Sequence, residues 1–365
     1  MELNNMDLTV LEHIELPPTA DLHCHLRQDA MMHLVTPYIE KGGCDTALVM
    51  PNLQPPITQV SQAVAYLEAL SQIAPQVKFL MTLYLHPTIT PNVIAEAAQS
   101  KIIYGVKLYP AGVTTNSQDG VLDIGQYYPV FEAMQAHDLV LNLHGETPDT
   151  EVLQAESAFV PTLHTLHAAF PRLRIVLEHV STAKGVEAVR QCGPTVAATI
   201  TAHHLFMTTE NAEQDVYNFC KPIAKTLKDR IALLRAAVDG SGKFFFGSDS
   251  APHPIASKEQ SNAAAGCFTQ GWTTVLVFDA LKQAIENGWI SNHKITQETL
   301  EGFLSTYGKQ FYKIDELNGP PRRRIRLEKS DETIPKSIES LSGKLEVVPF
   351  RRGEQVMSLS WLDRL

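Results

Sequence analysis

The chain has 365 residues, 44% of them hydrophobic, enough to bury one large core, and its composition is not that of a disordered protein. A formal net charge of -10 excludes a surface built for nucleic acid or an anionic membrane, so any attraction for an anion must be local. Five scattered cysteines without a CxxC pair, no basic-then-apolar leader and no apolar run of membrane-spanning length predict a reduced, cytoplasmic protein.

Short runs rich in Val, Ile, Leu and Phe predict strands at 20–26, 46–50, 77–85, 102–108, 139–144, 174–179, 195–201 and 243–246. Between them, segments such as 61–72, 91–98, 130–136, 183–190 and 227–238 carry Ala, Leu, Glu and Gln with apolar positions on one helical face. Such alternation means parallel strands joined by crossover helices, an α/β class, and eight strands close a TIM barrel. An open doubly wound sheet is the alternative, but no Gly-rich phosphate turn follows the first strand. Beyond a Gly266–Phe268 turn, helices are expected at 273–287 and 296–306 on the barrel's outside. The arginine-rich run 320–326 reads as an exposed linker, and 344–348 and 355–360 as short closing strands. The predicted division is a barrel with outer helices over 1–310 and an extension packed on it over 311–365.

Within Asp21-Leu22-His23-Cys24-His25-Leu26-Arg27, alternation along a strand aims His23 and His25 the same way and turns Cys24 away. Two imidazoles on one point suit zinc, and Arg27 beside them suits an anionic substrate. An HxH alone is equally well two ordinary strand histidines. Barrel chemistry, however, gathers at the C-terminal ends of the strands, and nearly every predicted strand here ends in a polar group. The candidate metal ligands are His23, His25, Lys107, His144, His179 and Asp249. Lysine is the odd member, since an ammonium of pKa ~10.4 repels a cation. A carbamate formed on Lys107 with carbon dioxide makes it anionic, with two oxygens able to bridge two metals.

The motifs HxHxR from His23, MPN ending at Asn52, KLYPAGVTTNS from Lys107, LHGE ending at Glu146, EH at Glu178 and GSDSAPH ending at His253 resemble those of the dihydroorotase family. The likeness is to the single-function form of bacteria and fungi, within the amidohydrolase superfamily. It runs along the whole chain, and the wording around 142–146 and 201–205 is similar to the fungal type. What it implies is reversible closure of N-carbamoyl-L-aspartate to (S)-dihydroorotate and water in pyrimidine biosynthesis, through a hydroxide bridging two zinc ions per subunit.

By the same resemblance, His23 and His25 hold one zinc with Asp249, while His144 and His179 hold the other. Carboxylated Lys107 bridges them, and Asp249 is the catalytic proton carrier. Arg27, Asn52 and His253 are expected on the substrate carboxylate, with backbone near Lys221 and Ala265 reaching the ring. Thr114 and Thr115 correspond to the family's mobile lid. His203 and His204 are read as supporting or packing residues. Lys221 departs from the apolar residue of many bacterial members, and Cys24 from the apolar residue often found between the two histidines. No nucleic acid or membrane partner is expected, and a homodimer is the default oligomer. The alternatives are a hydantoinase- or allantoinase-like enzyme, and a catalytically silent barrel used as a scaffold.

Overall fold

The computed structural model describes residues 7–314 and 323–363. Eight strands run parallel in sequence order: β2 Thr19–Cys24, β3 Cys44–Val49, β4 Lys78–Tyr84, β5 Ile103–Leu108, β6 Val140–His144, β7 Ile175–Glu178, β8 Val196–Ile200 and β9 Phe244–Phe246. The order never reverses, as it would in a doubly wound sheet. The seam between last and first strand closes just past β9, where Asp249 N donates to His23 O (2.7 Å) and His25 N to Ser250 O (3.0 Å). The fold is a TIM barrel.

Strands covered on both faces read as continuous apolar runs, which is why their burial is nearly unbroken. Leu22, Leu48, Leu80, Val140, Val176, Ala197 and Phe245, one from each of seven strands, pack as a separate inner cluster with Tyr312 and Ile314. This plug fills the barrel, so the polar side chains are confined to the strand ends above it. In β2 the register slips between Asp21 and Cys24. Leu22 belongs to the inner cluster but Cys24 to the outer one. A one-residue slip exchanges the two faces of a strand, and here it delivers His23 and His25 to the interior.

Gly105 in β5 leaves room for a neighbouring side chain. A Cβ there would lie 2.2 Å from Asn142 Oδ1 and 2.9 Å from Val140 O. Gly105→Ala is expected to cost about 1–3 kcal/mol through overpacking, read as a lower urea midpoint.

The arginine-rich run is a correction. Residues 320–322 lie outside the described segments, but Arg323–Glu328 form β10, the central strand of a second sheet. It pairs antiparallel with β1 His13–Leu16 and with β13 Ser358–Asp363. Ile325 and Leu327 are fully buried. Arg324 and Arg326 face the other way, whereas Arg323, in step with Ile325, stacks 4.1 Å over the Trp361 ring and pairs with Glu40. Arginine density concealed a period-two pattern that is an ordinary strand signal.

The other closing strands are shorter or displaced. Ile338–Glu339 (β11) pairs with Glu346–Val347 (β12), and β13 begins three residues later than expected. The helix expected at 296–306 is α-helical over Gln297–Glu301 and π-helical over Gly302–Thr306, and then continues α-helical to Phe311.

The helix Thr273–Glu286 packs on the barrel as expected, and it carries Asp279. Burial pushes this carboxyl up to about 6, against the opposing pull of Arg351. A carboxyl raised above its unfolded value contributes stability at low pH and loses it as pH rises through the folded pKa. Asp279→Asn is therefore expected to raise the melting temperature relative to wild type at pH 7, with the gain vanishing below about pH 4. Parallel melting curves across that range check it. Among the described residues, no helix is long and apolar enough to cross a membrane.

Candidate metal centre and active site

The polar strand ends converge on one cavity. Its wall includes His23, His25, Arg27, Asn52, Thr114, Thr115, His144, His179, Lys221, Asp249 and Ala265. Four imidazoles form a continuous chain there, with ring centroids 5.4 Å apart for His23–His25, 5.0 Å for His23–His179 and 4.7 Å for His144–His179. Ligand atoms of His23, His25 and Asp249 lie within 4.8 Å of one another. Arg27, His179 and Asp249 have φ of 60°, 41° and 44°, a region unfavourable to non-glycine residues. Such strain persists only where the surroundings enforce it, and it clusters at functional sites.

The test of fit to a metal is what each side chain lacks. His23 Nε2, His179 Nδ1 and Lys107 Nζ are buried without a hydrogen-bond partner. Two of these atoms belong to cavity-wall residues and Lys107 Nζ lies 4.9 Å from the ring centroid of Tyr109, another wall residue. Leaving a buried polar atom unsatisfied costs about 1–3 kcal/mol, so the three point to a missing ligand. In three of the four histidines one ring nitrogen is tied. His23 Nδ1 donates to Glu178 Oε2, His25 Nδ1 to Asn52 Oδ1 and His144 Nε2 to Glu146 Oε2, each at 2.8 Å. Metal-binding histidines show this arrangement, with one nitrogen anchored and the other presented. The donor set of imidazoles and a carboxylate suits zinc.

Burial favours the neutral, ligating form of three of the imidazoles, lowering His144, pulling His25 down to about 4 and His179 well below its ordinary range. Burial also opposes ionisation of Asp249, but hydrogen bonding from His25 and the nearby His23 hold it below the usual carboxylate range. Lys107 is completely buried, and that burial lowers its amine to about 8 against the pull of Glu178 and Asp249. A larger share of free amine, the form that reacts with carbon dioxide, follows from that lowering.

At the rim, Arg27 Nε donates to Pro252 O (3.0 Å), and its Nη2 lies 3.1 Å from His253 Nε2. His253 Nε2 is also 3.0 Å from Ala265 O. Burial and the adjacent Arg27 push His253 down to about 2, leaving Arg27 as the cation of this pair. Asn52 does more than face the cavity. While its Oδ1 orients His25, its Nδ2 donates to Thr115 O (3.1 Å). Thr115 Oγ1 in turn donates to Ala265 O (3.4 Å), so the loop bearing Thr114 and Thr115 is drawn over the cavity.

His203 and His204 form a different buried group with Cys220. His204 is held by Thr201 Oγ1 (2.8 Å) and Pro222 O (2.9 Å). The residues to which the sequence reading assigned no role are the partners: Glu146 and Glu178, present there only as motif letters, with Asn142 and Thr199. Asn142 Nδ2 and Thr199 Oγ1 both donate to Glu178, at 2.6 Å each. Their one signal in the sequence is adjacency, since Glu178 precedes His179 and Glu146 follows His144 by two.

The amidohydrolase family profile matches residues 16–317. A probable dihydroorotase of Schizosaccharomyces pombe is 44% identical over 348 residues, covering 93% of this chain and 97% of the relative. The dihydroorotase of Saccharomyces cerevisiae is 41% identical over 377 residues, covering 97% and 99%. A crystal structure of dihydroorotase from Saccharomyces cerevisiae, in complex with 5-fluoroorotic acid, superposes with a TM-score of 0.89 at 41% identity, over 97% of this chain and 100% of that one. Likeness at this identity, sustained through nearly the full length of both partners, means that the chain belongs to the amidohydrolase family, among the dihydroorotases.

Proposed function

We propose that this chain interconverts N-carbamoyl-L-aspartate and (S)-dihydroorotate with two zinc ions in its cavity. The observation that carries the metal reading is the set of three buried atoms without a hydrogen-bond partner, His23 Nε2 (3.4 Å from Asp249 Oδ1), His179 Nδ1 and Lys107 Nζ. His23, His25 and Asp249 would hold one ion and His144 and His179 the other, with carboxylated Lys107 between them. When bound, such ions supply Lewis acidity, polarising the amide carbonyl and making water acidic near neutral pH.

The side chains do the rest. In ring opening, Asp249 takes the proton of the attacking water and returns it to the departing amide nitrogen; ring closure runs the same transfers backward. Arg27, fixed by Pro252 O and flanked by His253, faces the ring carboxylate with a rigid planar fork. Thr114 and Thr115 close over the bound ring and exclude water. Asn52 links that loop to His25.

Arg27 separates this reading from a hydantoinase-like enzyme, whose ring has no carboxylate to pair with it. Metal analysis and ring-opening assays on dihydroorotate and hydantoin test the proposal. About two zinc ions per chain and a strong preference for dihydroorotate are expected. Zinc with a preference for hydantoin would favour the neighbouring activity, and neither zinc nor turnover would favour a silent scaffold.

A further inference from the structure

The two halves of the cage are braced by different means. His23 leans on Glu178, the last residue of β7, whose neighbours Asn142 in β6 and Thr199 in β8 both donate to it. That carboxylate is built into the sheet and held by neutral donors. His144 leans instead on Glu146, which lies in the loop after β6. The other oxygen of Glu146, Oε1, lies 3.7 Å from Lys225 Nζ, in the loop before the helix Leu227–Ala237. All three side chains are at most 4% exposed. Bulk solvent therefore does not compete with Glu146 for His144.

We infer that Glu146 is a positioning residue that sets how tightly the His144 half of the cage holds its ion, with Lys225 as its anchor. A carboxylate can only accept a hydrogen bond, so Glu146 makes Nε2 the protonated nitrogen of His144. The lone pair is left on Nδ1, and the carboxylate's charge makes that nitrogen a stronger donor. Because this brace is made by two loops while the brace on His23 is made by three strands, the His144 side is the more easily emptied half. The inference rests on the two-ion reading above and adds to it an order of release.

The test is a chelator titration of the zinc-loaded enzyme, with zinc per chain and steady-state kinetics followed together. Wild type should release its ions in two steps. Glu146→Ala should weaken one ion by about 10- to 100-fold and leave the other unchanged. Its kcat should fall at limiting zinc and recover at saturating zinc, with KM for dihydroorotate unaltered. Glu146→Gln keeps the shape and an acceptor oxygen, so it should lie between the two, and it decides the matter if the alanine variant does not fold. Lys225→Met should shift the same ion in the same direction by less. Two tightly held ions in Glu146→Gln and Glu146→Ala, or equal weakening of both ions, would overturn the inference while the two-ion reading stands. A wild-type enzyme without zinc would overturn both.

Discussion

Lys107→Ala is expected to lower kcat by more than about 10³-fold, the scale of losing a group the transition state depends on. The reason lies in where the amine is. Lys107 Nζ is in β5 at zero exposure, without a hydrogen-bond partner, and faces the charges of Glu178 and Asp249. A bare ammonium there would be a buried cation beside the ions that the histidines are arranged to hold. As the proposed carbamate, the same side chain would supply two anionic oxygens to those ions. Alanine removes the bridge but leaves its space, so short carboxylic acids such as acetate or propionate should restore part of the rate. Intact-mass measurement should also find the added carbon dioxide on wild type and not on the variant. Unchanged activity in Lys107→Ala would remove the bridging role.

Arg27→Met is expected to act on binding alone. Charge-assisted hydrogen bonds contribute about 1.5–3 kcal/mol each, so KM for dihydroorotate should rise by roughly 10- to 100-fold or more. Zinc content should not change, because Arg27 touches Pro252 and His253 and none of the proposed ligands. Methionine keeps much of the apolar stem and deletes the fork. A ring analogue without the carboxylate provides the control, since wild type and variant should handle it alike. Loss of zinc from the variant would mean that Arg27 supports the cage and not the substrate.

Several of these residues stand out in the amino-acid sequence for local reasons. His23 and His25 are one strand step apart, and a strand repeats every two residues, so they share a face wherever that strand goes. Lys107, His144, His179 and Asp249 stand where apolar runs give way to polar residues, which in a barrel is the chemical end. The linker reading of 320–326 failed for the converse reason. Strand β10 is half arginine, and its alternation is meaningful only once β1 and β13 flank it and bury Ile325 and Leu327.

What the chain determined on its own is whatever its short-range periodicity encodes: eight strands, the helices between them, and which side chains stand at the strand ends. Tertiary structure alone decided which of those side chains meet. His23 finds Glu178 across 155 positions, and the pairing of Asn52 with His25 spans 27. The slip in β2 that turns both histidines inward exists only against β3. Backbone periodicity acts over a few residues, whereas a hydrogen bond between buried groups needs both partners fixed in space by closure of the whole barrel. The cage is therefore a property of the closed sheet.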